Sequence, residues 1–424
     1  MQLKKNKNNL GLYLIMFIFT LFMGAGTSFF ITDNPIFNPI GFLIFITLIL
    51  YMIKCIGKIP HLTKLIGMLS IIAFWILYHC FRVGHYDLAF VMFALHIIAA
   101  YLIILIYKEN IIIYYEKIAY ILAFIGLFMW VVNNAISSET MSLLAPFKSS
   151  DYNNASASSG SFLLYVTGSW KGAQFMELYR NQGYCWEAGR FASLTSLGLV
   201  CYIIKNKGII NFFDKHFLIY VLTILSTFST TGYITLCLMI GICIIGGKTI
   251  NLFNRIIISS LLVFAIFYLH DADFLGEKIV DQLDTSNFIS KGSLYYSEAK
   301  VITVERFEGI YLDWLNFIDQ PIMGYGLTDQ WSYMQRNINK ELITANGITK
   351  PLAQYGIILS TLFFISLYNG TKNISKKFMQ NCHFLLLLVL ISISMSYDFN
   401  KTPFILAFSL YGIMYNKLQN DVAK

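Results

Sequence analysis

The residues of this chain best suited to chemistry lie between Tyr179 and Ala192, in the segment YRNQGYCWEAGRFA. The segment ends a polar stretch of about fifty residues and leads directly into an apolar run, so Arg180, Glu187 and Arg190 come close to the start of a predicted membrane helix. Arginine binds anions such as phosphate through its planar guanidinium, and a glutamate can accept a proton. Charged side chains near lipid carry a high free-energy cost, and they are therefore usually functional.

The composition is that of an integral membrane protein. Of 424 residues, 57% are hydrophobic and only 13% are charged, which is more apolar material than a water-soluble core requires. A helix that crosses a bilayer needs about 20 apolar residues, and the pattern predicts an all-α polytopic protein with about 12 transmembrane helices in a single integral membrane domain over residues 1–424. The predicted spans are 10–31, 36–56, 65–82, 87–107, 116–134, 187–204, 214–229, 231–247, 256–270, 350–369, 381–397 and 402–416.

The basic residues of the short loops predict the orientation, because lysine and arginine are enriched in cytoplasmic loops. In the arrangement of spans given above, most of them fall on one side, and the opposite short loops hold little beyond Arg82 and Lys401. Both termini are therefore expected in the cytoplasm. The net charge of +8 follows from this pattern, and nucleic acid is not an expected partner. The residues on the basic side are Lys4, Lys5, Lys7, Lys54, Lys58, Lys64, Lys108, Lys117, Lys205, Lys207, Lys215, Lys248, Arg255, Lys372, Lys376 and Lys377.

The spacing of metal-ligating residues does not indicate a metal site. Six of the 7 cysteines fall in or beside apolar spans, and only Cys185 is expected on the outer side, without a partner for a disulfide. The sequence Asp271-Ala272-Asp273 has the D-x-D pattern that holds a metal in many nucleotide-sugar transferases, but a lone D-x-D is frequent by chance. We expect no metal and no other cofactor.

Two long polar loops, 135–186 and 271–349, are predicted on the non-cytoplasmic side. The first contains SSDYNNASASSGS, a composition typical of a flexible linker. The second predicts an amphipathic helix that carries Arg306 and Asp313 along its edge and ends at the turn PIMGYG. The apolar stripe of that helix consists of Phe307, Ile310, Tyr311, Trp314 and Ile318.

Four segments resemble, in order, the motifs of bacterial O-antigen and capsule repeat-unit polymerases (Wzy-type). YRNQGYCWEAGRFA is similar to the signature R-x-x-G-x-x-x-E-P-G-x-x-A, except that Ala188 stands where the family commonly has proline. STFSTTGY (226–233), Arg306 with DWLNFIDQPIMGYG (313–326), and NGITKPLAQYGI (346–357) resemble the later elements. The order and spacing agree over roughly residues 175–360, and the number of spans agrees over the whole chain.

The resemblance implies a glycosyltransferase of the bacterial inner membrane that works at the periplasmic face. Such enzymes transfer the growing glycan from undecaprenyl pyrophosphate to the non-reducing end of an incoming lipid-linked repeat unit. The expected partners are therefore undecaprenyl-pyrophosphate-linked oligosaccharides, membrane lipids and a chain-length regulator. The implied fold is similar to the C-type glycosyltransferase architecture, in which a helical bundle encloses a cavity roofed by the two periplasmic loops.

The resemblance also assigns roles to individual residues. Arg180 and Arg306, one from each long loop, are expected to bind the pyrophosphate, with Arg190 as a third contact, unless these side chains only extend to lipid headgroups. Glu187 is the candidate general base; alternatively, it forms an ion pair with Arg190 at the start of a helix. Asn346 would orient the acceptor sugar, or it would cap a helix.

The remaining candidates each have a functional and a structural interpretation. Gly183 and Gly189 would let the backbone approach a headgroup or a sugar, or they would be turn glycines. Ser229, Thr230 and Thr231 would offer hydroxyls and amides to sugar or phosphate, or their hydroxyls would bond back to carbonyls where two helices meet at a bend.

Two other functions compete with polymerisation. An O-antigen ligase forms the same type of bond but transfers the finished glycan to lipid A-core, and the related ligases carry a histidine beside the asparagine that matches Asn346, where this chain has Ala345. A lipid-linked oligosaccharide flippase or another transporter would show repeated halves, short loops and polar residues in mid-membrane. In this chain, the polar residues are concentrated in two dissimilar loops.

Overall fold

Helices make up most of the protein in the computed structural model. The structure describes residues 9–22, 37–57, 59, 62–84, 88–150, 158–168, 174–175, 178–246, 301–303, 306–328, 331–338, 341–344, 346–378, 384–395, 397–398 and 401–420. The helices are α1 (Asn9–Phe22), α2 (Phe37–Ile56), α3 (Leu62–Val83), α4 (Leu88–Tyr107), α5 (Ile111–Ile136), α6 (Ser138–Leu144), α7 (Ala188–Lys205), α8 (Lys215–Ser226), α9 (Thr230–Gly246), α10 (Arg306–Asp319), α11 (Tyr333–Ile338), α12 (Thr349–Phe378), α13 (Leu385–Ser394) and α14 (Pro403–Asn420). A short 3-10 turn, Lys108–Asn110, joins α4 to α5.

Within the described residues, three helical segments are long and apolar enough to cross a bilayer: Leu62–Arg82, Ala89–Ile136 and Thr349–Phe378. Helices occupy eleven of the twelve predicted spans, and the remaining one, 256–270, lies outside the described residues. Several of these helices are apolar but shorter than a full crossing requires. The protein is thus a mostly helical one with membrane-spanning character, and the number of spans stays a prediction.

Short strands correct the all-α prediction. They are β1 (Phe147–Ser150), β2 (Ser158–Ser161), β3 (Val166–Gly168), β4 (Gln174–Phe175), β5 (Leu178–Tyr179), β6 (Val301–Thr303) and β7 (Glu341–Ile343). They form an antiparallel β1-β2-β3 sheet, an antiparallel β4-β5 pair and a parallel β6-β7 pair.

The predicted linker SSDYNNASASSGS is also corrected, because its two ends pair with each other as β1 and β2, with Ser149 opposite Ser159. The composition of the segment does not show that Gly160 packs closely against Ala145. Strand β2 lies against the end of α6, where a Cβ atom on Gly160 would come 2.4 Å from the Cβ of Ala145. The linker prediction was therefore wrong for the two ends of the patch, and its middle, 151–157, lies outside the described residues.

A buried carboxylate fixes one end of the helical bundle. The side chain of Glu116, near the start of α5, is fully buried and lies 2.5 Å from Nζ of Lys205 on α7 and 3.4 Å from Nδ1 of His216 on α8. The hydroxyl of Tyr220 donates to the carbonyl of Glu116. Lys377, at the end of α12, pairs with Glu109, which precedes Glu116 by two helical turns in the sequence. Lys205 and Lys377, two residues of the predicted basic side, thus lie at the same end of the bundle, and the side of the membrane that this end faces stays a prediction.

The motif that begins at Tyr179 lies at the opposite end of α5. The backbone N–H of Tyr179 donates to Oδ1 of Asn134 at 2.8 Å, and its carbonyl accepts from the indole of Trp130. Asn134 lies about 27 Å along the helix from Glu116, at about 1.5 Å per residue. The candidate chemistry and the basic cluster are therefore separated by nearly the length of a membrane crossing.

Helix α12 is interrupted near its start by a segment of the second loop. Gly356 has φ 71° and ψ 178°, which breaks the helix. The turn PIMGYG fills the gap: the N–H of Tyr325 donates to the carbonyl of Ala353, and the N–H of Ile357 donates to the carbonyl of Pro321. These bonds replace helical ones in a segment that is otherwise apolar enough to span lipid, where backbone groups must be paired within the protein.

Side chains of α3 donate hydrogen bonds to three carbonyls of the same turn. Nε1 of Trp75 donates to the carbonyl of Met323 at 2.9 Å, and the guanidinium of Arg82 donates to the carbonyls of Gly324 and Tyr325. The turn is therefore held by α3 on one side and by α12 on the other. The predicted helix of the second loop and the predicted turn after it are both confirmed, as α10 and this turn.

We expect Gly356→Ala to destabilise the protein strongly. A Cβ atom at this position would lie 2.0 Å from the carbonyl oxygen of Ile322, and its positive φ disfavours any side chain by about 1–2 kcal/mol. The thermal unfolding midpoint in detergent should fall by several degrees. Gly67→Ala is the matched control, because that glycine lies on α3 with open space around it, and its midpoint should stay the same or rise. Equal midpoints for the two variants would contradict the described break.

We expect Glu116→Gln to lower the free energy of unfolding by about 1.5–3 kcal/mol, because it weakens the charge-assisted hydrogen bond that Lys205 donates to a fully buried side chain. Glu109→Gln serves as the control. Its partner Lys377 is 49% exposed, so this pair is worth about 0–1 kcal/mol. Chemical denaturation of both variants in the same detergent measures the difference, and a larger loss from Glu109→Gln would contradict the assignment.

Candidate functional site

The candidate site lies where α7 begins, and we call it the α7 site, formed by Trp186, Glu187, Arg190 and Tyr397. Glu187 precedes α7 in an extended conformation, with φ −134° and ψ 132°. Its Oε1 accepts a hydrogen bond of 2.6 Å from the hydroxyl of Tyr397. The ion pair with Arg190 that the i,i+3 spacing predicted does not form between these two described side chains, because Glu187 stands outside the helix.

Arg190 is held by aromatic rings. Its guanidinium carbon lies 5.3 Å from the ring centroid of Trp186 and 5.2 Å from that of Tyr397. Each cation–π contact contributes about 0.5–2 kcal/mol, depending on how far water is excluded. The Nε atom is buried and has no hydrogen-bonding partner within the described part of the chain. The arrangement holds a positive charge in place with an unused donor, which is the property that an anion-binding site requires.

Arg180 lies beside the end of α8. Its Nε donates to the carbonyl of Thr227 at 3.1 Å. The next residue, Asn181, is fully buried: its N–H donates to the carbonyl of Ser226 and its Nδ2 donates to the hydroxyl of the same serine at 2.8 Å. Asn181 thus anchors the loop that carries Arg180. Asn181 was not among the predicted site residues. Its Oδ1 also accepts the N–H of Gly183, two residues on, a turn that asparagine commonly forms and that is the one signal for this role in the sequence.

Each of the two glycines in the motif makes room for an aromatic side chain. Gly183 has φ +51°, and a Cβ atom there would lie 2.4 Å from the ring of Phe191. A Cβ atom on Gly189 would lie 2.2 Å from the hydroxyl oxygen of Tyr397. Packing within the protein therefore accounts for both glycines, and their predicted approach to a ligand stays a prediction.

The Ser/Thr segment at the start of α9 adjoins the α7 site. The hydroxyl of Ser229 accepts the N–H of Gly232 at 3.4 Å and lies 3.4 Å from the Cβ position of Gly189. The carbonyl of Thr231 accepts a hydrogen bond from the hydroxyl of Thr235, one turn further along α9. That bond does not involve the Thr231 hydroxyl, so the predicted back-bonding of the three hydroxyls stays a prediction. The hydroxyl of Thr230 is buried and lacks a partner among the described residues.

The second loop contributes α10, which begins at Arg306. The predicted contact of the Arg306 side chain with a ligand lies outside the described part of the structure. Further along the helix, Asp313 is buried and accepts hydrogen bonds from the hydroxyls of Thr344 at 2.8 Å and Thr349 at 2.7 Å. These bonds attach α10 to the start of α12. Along the exposed side of α10 lie Tyr311, Trp314 and Ile318, as the predicted apolar stripe requires.

Asn346 caps α12. Its Oδ1 accepts the N–H groups of Ile348 at 2.9 Å and Thr349 at 3.2 Å, which is the structural role that the sequence left open. The N–H of the neighbouring Gly347 donates to the carbonyl of Ser394 at the end of α13, three residues before Tyr397. The helix start that α10 contacts is therefore joined to the connection that carries Tyr397. A role for Asn346 in orienting an acceptor stays a prediction.

The connection between α13 and α14 also reaches the turn of the second loop. Nζ of Lys401 lies 3.4 Å from the carbonyl oxygen of Leu327 and 3.4 Å from a carboxylate oxygen of Asp398. Elements of both long loops therefore meet the segment around Tyr397 at one end of the bundle. Among the described residues, no group of three potential metal ligands comes together, and Asp271-Ala272-Asp273 lies outside them.

Cys185 is 1% exposed and lies close to the α7 site. Its expected place on the outer side of the membrane stays a prediction. Burial raises the pKa of its thiol well above the usual range; the Arg190 cation opposes this shift, and the Glu187 carboxylate adds to it. The sequence placed Cys185 in a polar loop without showing that the loop folds back against α5 and α7.

The comparisons with known proteins do not assign the chain to a family. No protein-family model matches the sequence, and no curated protein matches it.

The burial of Cys185 predicts slow reaction with maleimide. A variant that retains only Cys185 should label slowly in detergent at pH 7, and raising the pH to 9 should accelerate labelling little, because the thiol remains protonated below its raised pKa. A variant that retains only Cys55, which is exposed, is the control and should label quickly. Both should label fully after denaturation. Equal native rates would contradict the described position of Cys185.

Proposed function

We propose that the protein is a glycosyltransferase that polymerises lipid-linked oligosaccharide repeat units of the O-antigen or capsule type. In this proposal, it is a multi-pass protein of the bacterial inner membrane with about 12 spans. Both termini and the cluster around Glu116 face the cytoplasm, and the α7 site faces the periplasm. The donor is a glycan on undecaprenyl pyrophosphate, and the acceptor is the non-reducing end of an incoming lipid-linked unit.

The proposal rests mainly on one observation: a positioned cation, Arg190, and a carboxylate, Glu187, lie close together without forming an ion pair. Arg190 keeps an unpaired donor while aromatic rings support its charge, and Glu187 lies next to it without neutralising it. Glycosyl transfer from a lipid diphosphate uses both groups: a cation where negative charge develops on the leaving diphosphate, and a base near the attacking hydroxyl.

The proposed reaction follows from these two groups. The oxygen of an acceptor hydroxyl attacks the anomeric carbon of the donor sugar, and Glu187 accepts the hydroxyl proton. The bond from that carbon to the phosphate oxygen breaks, and undecaprenyl pyrophosphate leaves with the electron pair. Arg180, Arg190 and Arg306 stabilise its negative charge. One cation about 4 Å from a phosphate contributes roughly 4 kcal/mol at an effective dielectric near 20.

The surface of α10 supports a lipid substrate. Tyr311, Trp314 and Ile318 are about half exposed along one side of the helix. Aromatic and aliphatic side chains in this arrangement are typical of a helix that lies in the membrane interface. Arg306, at the start of the same helix, would then stand at headgroup depth, where a lipid diphosphate is located.

The test uses a strain without the gene, complemented with variants, with the surface polysaccharide resolved on a gel. Arg180→Ala, Arg306→Ala and Glu187→Gln should each lower polymerisation by about 10²- to 10³-fold, because each removes a group that stabilises the transition state. The gel should then show a single repeat in place of a ladder. Arg336→Ala is the matched control, since Arg336 is 45% exposed and pairs with Asp319 on the surface of the second loop.

Two outcomes would contradict the proposal. Full ladders from Arg180→Ala and Arg306→Ala at normal expression would exclude their role in polymerisation. Loss of even the first attached repeat in the deletion strain would indicate ligation to lipid A-core, since a cell without a polymerase still attaches one unit.

A further inference from the structure

Within the α7 site, Tyr397 contacts both Glu187 and Arg190, and it comes from a part of the chain outside both long loops. It follows α13 (Leu385–Ser394) and is 5% exposed, 210 residues away from Glu187 in sequence. Its hydroxyl donates to Oε1 of Glu187 at 2.6 Å. Its ring lies 5.2 Å from the guanidinium carbon of Arg190. One side chain therefore touches both groups to which the proposed reaction gives a role.

The backbone of α7 is shaped to accept this tyrosine. Gly189 lies between Glu187 and Arg190, and a Cβ atom there would lie 2.2 Å from the Tyr397 hydroxyl oxygen and 3.2 Å from the ring carbon that bears it. Any side chain at Gly189 would displace the hydroxyl from its present position. Tyr397 is thus contacted by the carboxylate of Glu187 and the guanidinium of Arg190, and the missing side chain of Gly189 leaves room for its hydroxyl.

The hydrogen bond leaves the carboxylate able to act. Glu187 uses Oε1 for Tyr397, and within the described structure its Oε2 has no hydrogen-bonding partner. A carboxylate fixed through one oxygen retains a lone pair on the other that can accept a proton. Glu187 directly precedes α7, and its side chain makes no capping hydrogen bond to the helix. The hydrogen bond from the Tyr397 hydroxyl therefore restricts side-chain torsions of Glu187 that a capping bond would otherwise restrict.

We infer that Tyr397 is a positioning residue, which fixes the Glu187 carboxylate and the Arg190 guanidinium relative to each other so that proton acceptance and diphosphate binding occur at one place. The inference rests on the proposed function. In this role, the hydroxyl of Tyr397 orients Glu187, and its ring stabilises the charge of Arg190. The two parts of the side chain can therefore be tested separately.

The experiment uses the purified full-length protein with a lipid-linked repeat unit and measures kcat, KM and the thermal midpoint. Tyr397→Phe removes the hydroxyl and keeps the ring, so kcat should fall about 10- to 100-fold while KM changes less than about twofold. Tyr397→Leu removes the ring as well, and KM should then rise because Arg190 loses one of its supports. Gly189→Ala should reproduce the loss in kcat by displacing the hydroxyl.

A double-mutant cycle separates positioning from general structural damage. If Tyr397 acts through Glu187, Tyr397→Phe should cause no further loss of kcat in a Glu187→Gln background. Tyr355→Phe is the control, because Tyr355 is also buried and its hydroxyl has no partner among the described residues; its kcat should be unchanged.

The outcomes distinguish this inference from the proposed function. If the wild-type protein polymerises and Tyr397→Phe retains full kcat, the role of Tyr397 is excluded and the proposed function stands. Additive losses in the double variant, or a lowered thermal midpoint that accounts for the lost activity, would also exclude it. If the wild-type protein does not join repeat units at all, the proposed function fails, and this role fails with it.

Discussion

The buried carboxylate of Glu116 fixes how α5, α7 and α8 pack, and the geometry of the α7 site depends on that packing. A buried anion requires its partners, because removing one leaves a charge in a poorly solvated place. Lys205 supplies one from α7, and the imidazole of His216 on α8 lies 3.4 Å from the other carboxylate oxygen, so α7 cannot rotate without losing the contact with Lys205. Glu187 precedes Lys205 by about five helical turns, at about 3.6 residues per turn. An interaction at one end of the bundle thereby helps to set which side of α7 faces Tyr397 at the other end.

The second loop is held mainly through its backbone. The turn PIMGYG replaces hydrogen bonds that α12 loses at Gly356, and donors from Trp75 and Arg82 pair the remaining carbonyls. Irregular backbone is tolerated at membrane depth only where the protein satisfies it, so the turn and the break stabilise each other. Asp313 then joins α10 to the start of α12. The helix that begins at Arg306 is therefore attached at a defined place, although its amphipathic sequence alone would allow it to lie anywhere on a membrane surface.

The sequence predicted most helices correctly, because long apolar runs have few alternatives in a chain of this composition. It also identified α10 and the turn after it, where periodicity and Gly/Pro content agree. It failed where contacts are distant in the chain. Tyr397 is the last residue of the predicted span 381–397 and resembles any other tyrosine at the end of a span, and its bond to Glu187 crosses 210 residues. The predicted ion pair between Glu187 and Arg190 relied on helical spacing, and it failed because Glu187 is extended and lies just before the helix. Strands β1 and β2 were missed because a run of serines carries little pairing information.

The absence of that ion pair, between two side chains that the structure describes, matters more for chemistry than its presence would have. A carboxylate bonded to a guanidinium would neutralise the charge that a diphosphate needs and would occupy the oxygen that a proton needs. Aromatic rings avoid this conflict, since Trp186 and Tyr397 stabilise the cation without consuming its donors. The phenol hydroxyl likewise holds the carboxylate without adding a positive charge. An acid–base group and an anion-binding group can then stand three residues apart and act on the same substrate, because the tyrosine between them keeps each one available.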